Sequence, residues 1–368
     1  MPYALRLKPK NMKFIYLSFL LILVSSTANS QDKSFYIHGK VLDEKTGSVL
    51  VNASVFCQNT TTGTISNSEG LFALRLANGG YDLVISYTGY ETQVLRVSNS
   101  TRDTLLVQMK EEAKNLGEVA VTGSALVADG WNKYGQFFLD NFIGTTSNAA
   151  QCTIENKDSI SFYFYKKRNK LKVKAKSEIL ITNLALGYKI HYQLDSFVND
   201  YNTHISSYTG YPLFENLTGT SQQQETWSKN RYRTYIGSRL HFMRSWYDST
   251  LKDEGFQVET LNGPETDKGT ILDNPYNAAI YSLDSGTVDI NINGRIRVSY
   301  TGQVPDKNYL IQNHFPLNAK VQVSALEIPS GFSIEENGYF YEQSEITNLG
   351  YWAWKKVAEL VPYDYNPE

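Results

Sequence analysis

Hydrophobic and polar residues alternate with a period of two through much of residues 34–110. The alternation is clearest in YDLVISYTGY, where one face carries Tyr81, Leu83, Ile85 and Tyr87. Short polar turns that contain glycine, such as EKTG and NSEG, separate the apolar runs, and no run in this region has a helical period. Short alternating strands between such turns predict a seven-stranded antiparallel β-sandwich, which we place at residues 31–112.

After residue 128 the period changes. Trp131, Tyr134, Phe138 and Phe142 recur at intervals of three and four residues, which predicts a helix over 129–144. Alternating segments follow at 159–167, 170–183, 185–197 and 203–215. We therefore predict a second domain, residues 129–368, of the α+β class with an antiparallel sheet and one long helix. The chain as a whole is predicted to be mainly β.

The long helix is predicted over residues 222–252. On a wheel of 100° per residue, one third of the circumference carries the apolar side chains Tyr232, Ile236, Leu240, Met243, Tyr247 and Leu251. Further along, residues 286–300 contain Asn293-Gly294 between alternating runs, which predicts a hairpin. Residues 349–365 have the apolar spacing of an amphipathic helix.

Residues 1–30 have the composition of a signal peptide. Three lysines precede the apolar run 14–24, and small residues follow as far as Ser30, which predicts cleavage before Gln31. The alternative is an uncleaved anchor, which would need ~20 apolar residues. We therefore expect an exported protein whose mature chain has no transmembrane segment.

The net charge and the two cysteines limit which partners and which covalent bonds we expect. The formal net charge of −2 predicts no nucleic-acid partner. Cys57 and Cys152 fall in different predicted domains, so we expect two free, buried thiols rather than a disulfide.

Motifs of hydrolysis and nucleotide binding are missing from the sequence. None of the five histidines has a glutamate three residues later or a neighbouring histidine, as zinc peptidases need. G-x-S-x-G and P-loop patterns are absent as well. We predict a protein that is not an enzyme, with no catalytic, cofactor or metal site.

Residues 36–110 resemble a known domain. GKVLDEKTGSVLVNASVF, GTISNSEGLFALRL and YDLVISYTGYET, in this order, are similar to the carboxypeptidase-regulatory-like domain, a transthyretin-like sandwich. In metallocarboxypeptidases this module lies beside the catalytic domain. The resemblance therefore implies the sandwich fold and carries no catalytic residue over. This domain is followed by ALGYKIHYQL and RYRTYIGSRLHFMRSWY. The combination resembles exported Bacteroidota proteins that carry the same sandwich and whose C-terminal domain has no known function.

Residues 116–123, LGEVAVTG, resemble the segment that follows the same sandwich in nutrient transporters of the Bacteroidota outer membrane. Barrels of that type use ~20 strands or more, and the pattern after Gly123 does not predict one. We place the segment in a linker, residues 113–128. Two readings stay open: the segment docks on the sheet edge of a partner, or it closes the sandwich.

The candidate contact residues are Arg233, His241 and Arg244 on the long helix, with Tyr192 and Tyr211 on the strands before it. Guanidinium groups suit carboxylate or phosphate, and tyrosine faces suit a sugar ring. The alternative is that the arginines pair with internal acids such as Asp248 and tie helix to sheet. Arg233 and Arg244 border the apolar stripe on one line of the wheel, so both are expected to be partly buried. Three candidate O-glycosylation sites follow Asp, namely Thr104, Ser159 and Ser249.

These observations favour a non-enzymatic periplasmic binding or scaffold protein that acts beside an outer-membrane β-barrel complex. The alternatives are a glycan-binding adaptor of an uptake system, and an enzyme with an unrecognised site in residues 129–368. The expected partner is an outer-membrane barrel protein or envelope complex, with a glycan as a further candidate. We expect the protein in the periplasm, associated with the outer membrane.

Overall fold

A computed structural model describes residues 34–101, 104–112, 124–261 and 268–367. The predicted signal peptide and residues 116–123 lie outside these ranges, so both remain predictions. Within the described ranges the protein is mainly β, as predicted, with five sheets and five α-helices.

The N-terminal sandwich consists of two sheets. One has the order β4-β1-β7, with β1 at Ser34–Asp43, β4 at Leu71–Ala77 and β7 at Leu105–Met109. The other has the order β3-β2-β5-β6, with β2 at Ser54–Cys57, β3 at Gly63–Ile65, β5 at Gly80–Ser86 and β6 at Gln93–Ser98. The seven predicted strands are confirmed. The prediction of an entirely antiparallel sandwich is wrong for one pair, because the chain changes sheets between β6 and β7 and β7 then runs parallel to β1.

The sandwich core contains the predicted face of β5. Tyr81, Leu83 and Ile85 are buried in one cluster with residues of the opposite sheet, among them Val41 and Val107. On the other face of β5, Gly80 and Val84 are buried and Asp82 and Ser86 are half-buried.

A seven-stranded sheet follows. Its strands are β8 at Ser124–Leu126, β9 at Cys152–Ile154, β10 at Ile160–Tyr165, β11 at Lys170–Ala175, β12 at Ile179–Asn183, β13 at Tyr188–Asp200 and β14 at Ile205–Asn216. Helix α1, Gly130–Phe142, packs on it with Phe138 and Phe142 fully buried, which confirms the helix predicted over 129–144.

The predicted long helix is two helices, α2 at Ser221–Tyr235 and α3 at Arg239–Tyr247. Gly237 between them has φ +70°, a left-handed conformation that ends a helix and favours glycine. The Ser238 hydroxyl then accepts from the His241 N–H and caps α3. The prediction of one continuous helix over 222–252 is therefore wrong, because the apolar spacing continues across a local stop and a local start.

Two smaller sheets complete the strands. The five-stranded sheet has the order β16-β15-β19-β20-β22 and the three-stranded sheet has the order β17-β18-β21. In chain order, β15 is Phe256–Leu261, β16 Gly269–Ile271, β17 Tyr281–Asp284, β18 Thr287–Ile290, β19 Gly294–Tyr300, β20 Gln322–Ile328, β21 Phe332–Glu335 and β22 Thr347–Gly350. Helix α4, Lys307–Gln312, lies between β19 and β20 in the chain. The hairpin predicted over 286–300 is wrong, because β18 and β19 pair in different sheets.

The prediction of one amphipathic helix over 349–365 is wrong, because this segment contains only two short helical pieces. Helix α5 covers only Tyr351–Trp354, and a 3₁₀ turn covers Val357–Glu359. Backbone groups here pair with distant residues: the Ala358 N–H donates to the Ile143 carbonyl and the Tyr363 N–H donates to the Asn59 carbonyl, at 2.7 Å. These tertiary hydrogen bonds replace the helical ones.

Polar contacts join the sandwich to the rest of the protein. The Asn337 amide donates to the Gly80 carbonyl at 2.9 Å, and the Tyr339 hydroxyl donates to Asp82 at 2.8 Å. A β-carbon on Gly80 would lie 2.6 Å from the Tyr339 ring, so only glycine allows this approach. From Phe35 onward the described residues form one compact unit. The domain boundaries at 112 and 129 stay predictions.

Candidate functional site

A cavity of about 200 Å³ lies beside the first turn of α3 and the C-terminal segment. Its wall is drawn from distant parts of the sequence and includes Asn59, Tyr208, Arg239, Asn348, Lys355, Lys356 and Tyr363. The cavity is therefore a product of the tertiary fold, and no short motif encodes it.

Arg239 is the first residue of α3 and lines this cavity. Its guanidinium lies 5.0 Å from the centre of the Phe340 ring. It has no hydrogen bond or salt bridge to any residue in the described ranges. Because this half-buried guanidinium is unpaired, its N–H donors are available to a ligand. Guanidinium groups inside proteins are usually paired.

Lys355 and Lys356 follow α5 and line the same cavity. Both are half-buried. The Lys355 ammonium lies 5.2 Å from the centre of the Tyr351 ring, and neither lysine has a salt bridge within the described part of the chain. Arg239 and these two lysines were not among the contact residues predicted from the sequence. The available signal was a pair of lysines inside the aromatic segment YWAWKKV.

Positive charge exceeds negative charge at the cavity. The carboxylate in its wall is Glu359, which also accepts from the Thr146 hydroxyl at 2.7 Å. Burial lowers the pKa of Arg239, Lys355 and Lys356, and for Lys355 the nearby Glu359 and Asp306 partly oppose that shift. These pKa shifts express the cost of holding unpaired cations away from water.

Helix α3 adds donors at the same place. Ser238 satisfies the N–H of His241, the third helical residue, but the N–H groups of Arg239 and Leu240 have no acceptor within the helix. Ser238, Arg239 and Leu240 all line the cavity. The positive end of the helix dipole therefore adds to the side-chain charge.

Two tyrosines supply neutral hydroxyl groups. Burial raises the pKa of Tyr208, and it raises the pKa of Tyr363 to about 12. The positive charge of Arg239 acts in the opposite direction on the pKa of both tyrosines. Tyr363 donates to Gln343 at 3.3 Å, while the Tyr208 hydroxyl has no hydrogen bond to a described residue. Asn59 and Asn348 each have a buried amide oxygen without a donor. The wall thus combines cations, hydroxyl groups and amides.

The arrangement suits binding of an anion more than metal chemistry. Across the described ranges, no three His, Cys, Asp or Glu side chains converge to hold a metal ion. Cys57 and Cys152 are free thiols, as predicted. Cys57 is buried and Cys152 is half-buried, and burial raises the pKa of both, to about 12 for Cys152.

The predicted arginines have different environments. Arg244 donates to three backbone carbonyls, those of Asn337, Tyr363 and Tyr365, at 2.8 to 3.1 Å. Arg233 is exposed, so the expectation that it would be partly buried is wrong. Because Gly237 interrupts the helix, the two side chains do not share one helical line, and Arg233 lines a separate polar cleft with Asn230 and Gln303.

The other three predicted contact residues do not join Arg233 and Arg244 in one site. His241 is buried: its Nδ1 accepts from the Gly237 N–H and its Nε2 lies 3.1 Å from Glu254. Burial lowers the pKa of His241, with Glu254 opposing, so the neutral ring donates from Nε2. Tyr192 is buried edge-to-face on Phe142, and Tyr211 is half-buried opposite Gln193.

The candidate glycosylation sites differ in access. Thr104 and Ser249 are exposed, although Asp103 lies outside the described residues. The Ser159 hydroxyl is buried and has no hydrogen-bond partner in the described structure, so the folded protein does not present it to an enzyme.

The N-terminal part of the chain matches a known domain family. Residues 37–121 match the CarboxypepD_reg-like domain. The sandwich is this domain. The resemblance drawn from residues 36–110 is therefore confirmed, and the match extends beyond β7 into the predicted linker.

Curated relatives are similar over the same part of the chain. TonB-dependent receptor P39 of Formosa agariphila is 32% identical over 124 residues, which cover 32% of this chain and 12% of the receptor. TonB-dependent receptor SusC of Bacteroides thetaiotaomicron is 31% identical over 117 residues, which cover 32% of this chain and 11% of the receptor. The chain thus spans about an eighth or less of the length of these relatives.

No helix in the described ranges is both long enough and apolar enough to cross a membrane.

Proposed function

We propose that the protein is a non-enzymatic binding component of an envelope uptake system, exported to the periplasm and acting beside an outer-membrane barrel protein. The observation that carries this proposal is the CarboxypepD_reg-like domain at residues 37–121, which this chain shares with TonB-dependent receptors. The matching family is a CarboxypepD_reg-like domain and the relatives are receptors, which supports a binding role.

The junction of the sandwich with the rest of the protein supports the same proposal. Thr60, in the loop after β2, accepts from the Phe214 N–H at 2.8 Å, and Thr61 donates to Asp364. The receptor-like domain and the cavity-bearing part belong to one compact unit. We propose that the sandwich faces the barrel complex while the remainder provides a binding site.

A pull-down from native envelopes in mild detergent, followed by mass spectrometry, tests this function. We expect the tagged protein to fractionate with the envelope and to enrich a barrel receptor above the level seen with an unrelated exported protein carrying the same tag. Recovery from the cytoplasm, or an envelope sample without any enriched barrel protein, would contradict the proposal.

A glycan-binding adaptor is the second candidate. The polar cleft beside Arg233 favours it, because the side-chain amides of Asn148, Asn230 and Gln303 surround it and the Trp354 side chain forms part of its wall. Aromatic and amide groups together suit a sugar. A glycan array with the wild type and Trp354→Ala tests this role, and we expect a specific signal that the substitution abolishes. Equal signals for the two proteins would contradict it.

A further inference from the structure

We propose that the cavity beside α3 binds a small dianion with carboxylate or phosphate groups, held by Arg239, Lys355 and Lys356. The site needs no envelope partner, and it shares Lys355 and Glu359 with the polar cleft beside Arg233.

The charge balance identifies the ligand class. The cavity wall contains three basic side chains and the carboxylate of Glu359. Lys355 and Glu359 also line the polar cleft and have opposite charges, so the positive charges of Arg239 and Lys356 remain to be matched. Unpaired charges away from water are costly. A dianion neutralises them, whereas a neutral ligand does not.

The donor geometry fits carboxylate or phosphate. The Arg239 guanidinium has no hydrogen-bond or salt-bridge partner among the described residues. It presents a planar set of donors that suits two oxygens of either group. The free N–H groups of the first turn of α3 favour an anion at the same wall. The Tyr208 hydroxyl, also unpaired within the described ranges, offers a further donor.

The volume limits the size of the ligand. An apolar cavity of ~150 Å³ is large enough for benzene, and this cavity measures about 200 Å³. It therefore has room for roughly eight to ten non-hydrogen atoms. Apolar walls from Met243, Phe340 and Trp352 are suited to a short carbon chain between two charged groups.

The test is calorimetric titration of the dialysed full chain with two probes, succinate and glycerol 2-phosphate. Their neutral counterparts, 1,4-butanediol and glycerol, control for shape, and sodium chloride at matched ionic strength controls for screening. We expect at least one dianion to bind and neither neutral compound to bind. Preference for succinate assigns a carboxylate ligand, and preference for glycerol 2-phosphate assigns a phosphate ligand.

Arg239→Gln and Lys356→Gln remove charge from the cavity, and we expect each to weaken binding about tenfold to a hundredfold. Arg168→Gln and Lys307→Gln remove the same charges from exposed positions outside the cavity and should stay within about twofold of wild type.

Thermal melts without ligand separate a binding role from a structural one. Removing an unpaired cation should leave the melting temperature of Arg239→Gln unchanged or higher. The proposal is overturned if neither dianion binds the wild type, if the cavity variants bind as the wild type does, or if both cavity variants melt lower without ligand.

Discussion

At the scale of single residues, Arg244 stabilises the fold through hydrogen bonds to the backbone. Its guanidinium donates to the carbonyls of Asn337, Tyr363 and Tyr365. We expect Arg244→Met to lower the free energy of unfolding by about 2–4 kcal/mol, because three acceptors lose their donors. Chemical denaturation measures this, with Arg233→Met as the matched control. Arg233 is exposed, so its variant should stay within ~0.5 kcal/mol of wild type. Equal effects of the two substitutions would contradict this assignment.

Asp43 stabilises the sandwich in a pH-dependent way. It accepts from the Tyr90 hydroxyl at 2.7 Å and from the backbone N–H groups of Thr46 and Lys45. The Tyr90 hydrogen bond first, and then the Thr46 bonds, lower the pKa of Asp43 to about 2. Because the folded-state pKa is lowered, the contribution is complete above the unfolded value of ~3.9 and is lost as pH falls through about 2.

We therefore expect Asp43→Asn to melt below wild type at pH 7, with a difference that shrinks between about pH 5 and pH 2. Melting curves across this range, with the exposed Asp158→Asn as a control that leaves the curve unchanged, provide the measurement. A difference that stays constant down to pH 2 would show that the carboxylate charge is not responsible.

At the scale of single elements, Gly237 separates two helices. Its φ of +70° is strained for other residues, and an added β-carbon would lie 2.5 Å from the Tyr300 ring. We expect Gly237→Ala to cost about 2–4 kcal/mol, from backbone strain plus overlap in the core. Gly47 has φ +68° with open space around it, so Gly47→Ala isolates the backbone part, about 1–2 kcal/mol. The same loss in both variants would rule out the overlap.

The helix break at Gly237 also shows which parts of the fold could be predicted from the sequence. Strands and the helix with Phe138 and Phe142 follow from periodicity, because burial on one face determines both. The break at Gly237 has a local signal, a glycine stop followed by a serine cap. Continuous apolar spacing from Tyr232 to Leu251 obscured it, although Tyr232 is exposed in the structure and only Met243 and Leu251 of the predicted apolar stripe are buried in the core.

The candidate site could not be predicted in the same way. Arg239 and Lys356 are 117 positions apart, and only the tertiary fold brings them to one cavity. Sequence reasoning instead chose Arg233, His241 and Arg244 because they lie close together in one segment. Proximity along a chain predicts a shared helix face only while the helix is continuous.

At the scale of the whole molecule, the sandwich and the remainder are joined by buried polar contacts. We expect one unfolding transition in calorimetry, because Asn337, Tyr339 and the C-terminal segment link both parts. Asn337→Ala leaves the Gly80 carbonyl without its donor and should cost about 1–3 kcal/mol within that single transition. The exposed Asn132→Ala is the control. Two resolved transitions would show that the sandwich unfolds independently.

The hydrogen bond from the Tyr363 N–H to the Asn59 carbonyl joins two residues of the cavity wall. A ribosome that adds 5–20 residues per second makes Tyr363 roughly 15–60 s after Asn59. Once Met109 has been added, the nascent chain contains the seven strands of the sandwich, while Lys355, Lys356 and Tyr363 are not yet present to enclose the cavity. Binding of the proposed dianion therefore requires a chain translated through Tyr363, and a product arrested earlier would contain the receptor-like domain without the complete cavity wall.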